Sequence, residues 1–232
     1  MQIGHANQSR KSLMQRKHYS ALITLGKKRN RSESHPSHNH DPVEFQEKLM
    51  STQINNNNHK TMSSVEDLRR RARQQVEEGA VTEGYEADRK QILKMLNEAL
   101  ATELVCVMRY RRHYFMAKGL ESEPIAKEFL DHSNEELSHA DKLASRITQL
   151  GGEPVFNPNM ICGLSHAEYI ETADLKEMVK ENLVAERIAI DSYREMINFI
   201  GNSDSTTRRI LEEILEVEEE HADELSDLLA TK

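Results

Sequence analysis

From residue 86 onwards, apolar positions recur at alternating steps of three and four, the spacing that lines up one face of an α-helix. The first stripe, over residues 86–117, is Ile92, Leu96, Ala99, Glu103, Cys106, Tyr110 and His113. The second, over 124–150, is Ile125, Phe129, His132, Glu136, His139, Leu143 and Ile147. Val179, Asn182, Glu186, Ile190, Tyr193 and Ile197 stripe a third helix over 175–200, and Leu211, Ile214, Glu218, His221, Leu225 and Leu228 a fourth that ends near 229. Lys118-Gly119 closes the first helix; Gly151-Gly152 stops the second and Pro154 blocks its continuation. A few residues join the first helix to the second, and 201–204 join the third to the fourth. A link of roughly 20 residues, with a short helix expected at 165–172, connects the two hairpins and has to travel the length of the bundle. The pattern predicts an all-α, four-helix bundle with a long crossover between its second and third helices.

Upstream the pattern dissolves. Residues 1–84 show no sustained period, and segments such as 32–40 (SESHPSHNH) and 53–60 (QINNNNHK) are too poor in apolar groups to fold alone. A short basic helix over 65–78, carrying Arg69, Arg70 and Arg71, is the only element expected there. The reading is therefore a polar, disordered extension over 1–84 and a helical domain over 85–232.

Composition agrees with helices: charged residues make up 30% and aromatics 5%, with no tryptophan. No stretch approaches the roughly 18–20 apolar residues of a membrane span, and no secretory signal is visible at the N-terminus. Two cysteines make no disulfide framework, so a cytoplasmic protein is expected. The net charge of −8 is uneven: residues 1–60 hold ten Lys/Arg against four Asp/Glu, the remainder 21 against 35. An acidic body suits the gathering of cations, and a basic arm suits a polyanion.

The chemistry lies in what interrupts the stripes. Glu136 and His139, and again Glu218 and His221, are three apart and share a helix face, so each pair can grip one centre. Glu103 and Glu186 stand alone on the other two stripes. An unpaired carboxylate in a bundle core costs several kcal/mol or takes up a proton. Four of them with two imidazoles form the ligand set of a carboxylate-bridged di-metal site inside a four-helix bundle. Oxygen and imidazole donors without a thiolate cluster suit iron or manganese.

The stretches 103–113 (ELVCVMRYRRH) and 136–141 (ELSHAD), Glu186 within VAERIAIDSY, and 218–222 (EEEHA) resemble bacterioferritin and its non-haem, Dps-like relatives in the ferritin-like superfamily. The resemblance covers residues 85–230. It implies a ferritin-like bundle in which Glu136 and Glu218 bridge two irons, Glu103 and His139 complete one, and Glu186 and His221 complete the other. Tyr110, seven residues after Glu103, matches a family tyrosine near the site; a role in hydrogen bonding or electron supply and a role as aromatic filler both stay open. Leu137 stands where bacterioferritin has its haem-ligating methionine, so haem is not expected by that route. Only eleven residues follow His221, which leaves no room for bacterioferritin's fifth helix and favours a 12-subunit, Dps-like homo-oligomeric cage over a 24-subunit one. Some Dps-like proteins pair cysteines near such a site. Cys106 and Cys162 are candidates for a redox pair, with two separate thiols the stronger alternative.

The expected function is a ferroxidase and iron-storage or detoxification protein that oxidises Fe(II) with O2 or H2O2. His113, Asp131, His132 and Glu135 lie near the ligand turns as candidates for an iron route. A peroxidase or manganese-catalase-like enzyme is the enzymatic rival. A DNA-binding protective cage, using Lys11, Arg16, Lys17, Lys27, Lys28, Arg29 and Arg31, is the rival of a different class. No membrane partner is expected.

Overall fold

The computed structural model describes residues 62–119 and 122–230. The N-terminal arm over residues 1–61, its basic residues and their expected DNA contact lie outside the described residues. Six α-helices and one 3-10 turn account for the regular structure there: α1 Val65–Arg71, the 3-10 turn Val76–Glu78, α2 Arg89–Met116, α3 Ser122–Gln149, α4 Pro158–Leu164, α5 Leu175–Ile200 and α6 Ser205–Ala230. None of these helices is long and apolar enough to cross a membrane.

The caps explain the boundaries. Asp88 accepts from the Gln91 amide and starts α2, Asp174 accepts from Glu177 to start α5, and Asp204 accepts from Thr207 to start α6. α3 ends in a Schellman arrangement: Gly152 N–H donates to Ile147 C=O and Gly151 N–H to Thr148 C=O, with Gly151 at φ +74°. Gly201 closes α5 at φ +52°. The basic helix expected over 65–78 is only α1 followed by the separate turn, because Gln75 at φ +48° breaks the helical run between them. No residue of α1 is buried, whereas Val81 and Tyr85 already pack on the bundle core, so packing begins slightly upstream of the expected boundary at 85.

α2 and α3 form one hairpin, α5 and α6 the other; α2 faces α5 and α3 faces α6. Hydrogen bonds fix the directions. Tyr193 pairs with Glu103 and Tyr110 with Glu186, so α2 and α5 are antiparallel. The link from 150 to 174 runs alongside α2 in ascending register: Asn97 holds Glu153 and Val155, Thr102 holds His166, Arg109 holds Glu168 and Arg112 holds Thr172. That ladder spans the bundle, as the predicted crossover requires. The short helix within it is displaced from the expected 165–172 to α4. Asn157 caps the Asn159 amide and Pro158 occupies the first turn, which starts the helix seven residues earlier. Ile161 of α4 then packs on Ala101 and Val105 of α2.

Packing divides the interior into layers. One apolar cluster gathers Ile92, Leu96, Leu100, Leu143, Ile147, Ile200, Leu211 and Ile214, and a second gathers Cys106, Phe129, Met178, Val179 and Leu225. Leu211 and Ile214 precede Glu218, and Leu225 follows it, so a polar slice lies between the two clusters. At one end a buried clamp ties α3 to α6: Arg146 donates to both oxygens of Asp204 at 2.9 Å and to Thr207 Oγ1 at 2.8 Å, and Tyr85 Oη donates to Asp204 at 2.8 Å.

Candidate metal centre

The polar slice is where the four long helices each bring a glutamate to the axis. α2 supplies Glu103, α3 Glu136 and His139, α5 Glu186, and α6 Glu218 and His221. None of the six is more than 2% exposed. They assemble into two overlapping groups, Glu103/Glu136/His139/Glu218 and Glu136/Glu186/Glu218/His221, each with one ligand atom per residue within 4.8 Å of the others. Glu136 and Glu218 belong to both.

Within the first group His139 Nδ1 is 2.9 Å from Glu218 Oε1, 3.3 Å from Glu136 Oε2 and 3.9 Å from Glu103 Oε2. Within the second, His221 Nδ1 is 3.7 Å from Glu136 Oε1 and 3.9 Å from Glu218 Oε2. Among the described residues, eight buried side-chain atoms lack a hydrogen-bond partner, and five belong here: Glu136 Oε1, Glu186 Oε2, both Glu218 oxygens and His221 Nδ1. Buried acceptors are rarely left without a donor. These converge on one space, and the donor set of oxygens and imidazole nitrogens fits a pair of borderline-hard divalent cations. Four ionised carboxylates carry the charge that two such ions neutralise.

Electrostatics make the same point. Burial, then the adjacent Glu136, raises the Glu103 carboxyl well above its usual range. Burial, then Glu136, Glu103 and Glu186, does the same to Glu218. Burial and Glu186 raise Glu136. Burial depresses His139. It acts in the same direction on His221, but Glu136, Glu186 and Glu135 outweigh it and push that imidazole up to about 10. Without cations the site holds protons instead.

A second ring of side chains orients the first. Tyr110 donates to Glu186 across the bundle and Tyr193 donates to Glu103 in the opposite direction. The two tyrosines are thus reciprocal, each on the helix of one terminal glutamate and each holding the other. The sequence marks Tyr110 as a candidate and Tyr193 only as a stripe residue; the signal for Tyr193 is the repeated spacing, since Glu186 and Tyr193 are seven apart like Glu103 and Tyr110. Glu135, an exposed residue, reaches back to His221 Nε2 at 2.6 Å, the carboxylate–histidine contact that fixes a ligand ring.

The candidate route residues separate. His132 and Glu135 touch the ligand cluster. His113 does not: it is buried against Asn182 at 3.1 Å and lowered to about 4 by burial and Arg109. Asp131 pairs with Lys127 on the surface. Cys106 is a buried free thiol, raised well above its usual range chiefly by burial; Cys162 is an exposed free thiol on α4. Leu137 lies on the exposed face of α3.

The family model of the ferritin-like domain matches residues 93–232. Among curated relatives, a bacterioferritin of Brucella melitensis is 33% identical, the match covering 60% of this chain and 84% of that one. A nutrient stress-induced DNA-binding protein of a Synechococcus species is 30% identical, covering 60% of this chain and 81% of its own. Among solved structures, a bacterioferritin-related protein from Bacteroides fragilis, described as a dodecameric thioferritin, is 33% identical with a TM-score of 0.60 and covers 62% of this chain and 86% of its own. Rhodobacter capsulatus bacterioferritin is 26% identical with a TM-score of 0.53, covering 61% and 84%.

Proposed function

The chain belongs to the ferritin-like family, and on that premise we propose that it is a ferroxidase that stores or detoxifies iron. The observation that carries this reading is the pair of four-ligand groups sharing Glu136 and Glu218, lined by five unpaired inward-facing atoms. Two Fe(II) ions are the substrate. Glu136 and Glu218 bridge them, Glu103 with His139 completes one position, and Glu186 with His221 completes the other.

Each Fe(II) loses one electron. Together the pair reduces O2 and two protons to H2O2, or H2O2 and two protons to two waters, so no one-electron oxygen radical is released. Tyr110 and Tyr193 keep the terminal carboxylates in place, and Glu135 keeps the His221 ring turned toward the ions. The two apolar clusters above and below the slice exclude water from it. The ferric product is stored in a homo-oligomeric cage. Twelve subunits is the assembly favoured, supported by the Bacteroides fragilis relative described as dodecameric.

Anaerobic Fe(II) titration followed by stopped-flow oxidation with O2 and with H2O2 tests this, comparing wild type with Glu136→Ala/Glu218→Ala. The expectation is two Fe(II) per chain and rapid oxidation, both lost in the variant. Binding without accelerated oxidation would point to a manganese or peroxidatic centre. A second reading, a cage that binds DNA, is supported by the name of the Synechococcus relative and by the basic composition of residues 1–60. It predicts DNA retention that falls steeply with salt and disappears when residues 1–61 are removed.

A further inference from the structure

The family model begins at residue 93, and upstream of it one helix has no cover among the described residues. α1 buries none of its side chains. Val65, Leu68 and the flanking Met62 are 61%, 48% and 94% exposed, and steps of three put them on one face. The helix is nevertheless well made: Ser64 caps the Asp67 amide, and Arg71 donates to Ser63 Oγ at 2.7 Å. Its attachment is firm as well, with Arg89 on Glu78 at 2.6 Å and Val81 and Tyr85 packed on the bundle core. Seven residues are too few to hold a helix in water by themselves, and most helical stability comes from packing an amphipathic face. The apolar face of α1 therefore calls for a partner.

A surface of matching chemistry runs along the outer side of α5. Two grooves of about 410 and 400 Å³ share Ser192 and Glu195 and so form one trough. Val184 and Ile188 line the first groove; Met95, Met196 and Phe199 line the second. Val184 and Phe199 are themselves exposed. From residue 184 to residue 199 the trough spans about 22 Å of helix, against about 11 Å for the whole of α1.

Charge supplies the register. Arg69 and Arg73 are four apart, and Arg73 Nη1 donates to the Arg69 carbonyl at 2.7 Å, which keeps it in line with the helix. Asp191 and Glu195 are also four apart, beside the junction of the two grooves. The trough sets three carboxylates, Glu98, Asp191 and Glu195, against Arg187. Residues 65–73 set Arg69, Arg70, Arg71 and Arg73 against Glu66 and Asp67. Opposite signs on the same four-residue repeat allow one arginine–carboxylate pair on each successive turn.

We propose that α1 of one subunit lies in the α5 trough of a second copy of this chain, its apolar face inward and Arg69 and Arg73 paired with Asp191 and Glu195. One short helix covers much less than the roughly 1,000 Å² of an independent interface. The contact therefore works as a strap between subunits already held together, each chain giving one helix and taking one, with avidity from its repetition. It rests on the assembly proposed above.

The test uses full-length chains carrying Cys162→Ser, which removes the exposed thiol. One chain carries Ala72→Cys, between the two strap arginines; the other carries Ser192→Cys, where the grooves join. The two are coexpressed with different tags, sized by light scattering and treated with a short bis-maleimide, and mass spectrometry identifies the joined peptides. The expected result is an oligomer with positions 72 and 192 of different chains joined. Arg69→Glu/Arg73→Glu on the first chain should lower the yield about tenfold, and so should Asp191→Arg/Glu195→Arg on the second. Both reversals together should restore it. An oligomer without that link between chains would overturn the strap and leave the cage reading standing. So would a link that forms only when both cysteines share one chain, a yield indifferent to single reversal, or one that the double reversal does not restore. A protein that sizes as a monomer would overturn the cage reading and the strap with it.

Discussion

Metal removal should leave a protein whose stability falls as pH rises through neutrality. Glu103, Glu136 and Glu218 have folded-state pKa values raised by burial and by one another. A group with a raised folded pKa binds more protons in the native state than in the unfolded one. Its stabilising contribution is complete below the unfolded pKa and is lost as pH climbs toward the folded pKa. His221, pushed up to about 10, has the same sign from pH 6.5 upward. His139 is depressed and runs the other way, but only below its ordinary value near pH 6.5. The clean window is therefore about pH 6.5 to 8.0, below the thiol range of the unfolded chain. Each group whose protonation differs fully between the two states contributes about 1.4 kcal/mol per pH unit, or about 2 kcal/mol across that window. For a chain of this size one such group lowers Tm by about 4–8 °C. The assay is thermal melting of chelator-treated protein at fixed concentration and ionic strength, with and without Zn(II). Glu218→Gln should melt above wild type at pH 8.0 when metal-free, show a shallower pH slope, and lose most of the zinc stabilisation. Zinc should flatten the wild-type slope, because the ions replace the protons. A metal-free Tm that stays level or rises from pH 6.5 to 8.0 would refute the convergence of four buried carboxylates on one space.

Further predictions concern the side chains around that space. Tyr193→Phe should weaken the ion held by Glu103 and His139, and Tyr110→Phe the ion held by Glu186 and His221, each about 10–100-fold; step-resolved titration with Co(II) absorption checks which of the two binding steps moves. Glu135→Gln should likewise weaken binding at the His221 position by about tenfold, read in the same titration. Asp204→Asn removes the anion from the buried Arg146 clamp and should cost about 3–5 kcal/mol, measured by denaturant unfolding. Although burial opposes it, bonds from Thr207, Tyr85 and Arg146 hold the Asp204 carboxyl below its ordinary value. Its contribution is therefore present above about pH 3.9 and is lost as pH falls through the folded value. Acid unfolding should begin at higher pH once Arg146 is replaced by Met.

The sequence carried the long helices well because their stripes are long and regular; α5 falls on the residues expected for it, and α2 and α3 shift by only two or three at their starts. It carried α4 poorly. The Asn157-Pro158 start signal was present, but a seven-residue helix has no stripe to confirm it. Tyr193 was missed as a site residue because an aromatic on an apolar stripe looks the same whether its hydroxyl finds a carboxylate or a water. The hold of Glu135, expected only as a candidate for an iron route, on a ligand ring is illegible for a related reason: the residue lies on the exposed side of α3, and only its side chain reaches His221.

Periodicity within one helix is a local property, written in 3.6-residue steps, so the chain alone determined that four amphipathic helices form and that each carries a glutamate on its buried face. Repetition of Glu-x-x-His on two of them was enough to indicate a metal centre. Which side chains meet across the bundle depends on the axial offset and rotation of one helix against another, and no single helix encodes either. The tertiary structure alone therefore decided the crossed tyrosine–glutamate pairs and the hold of Glu135 on His221.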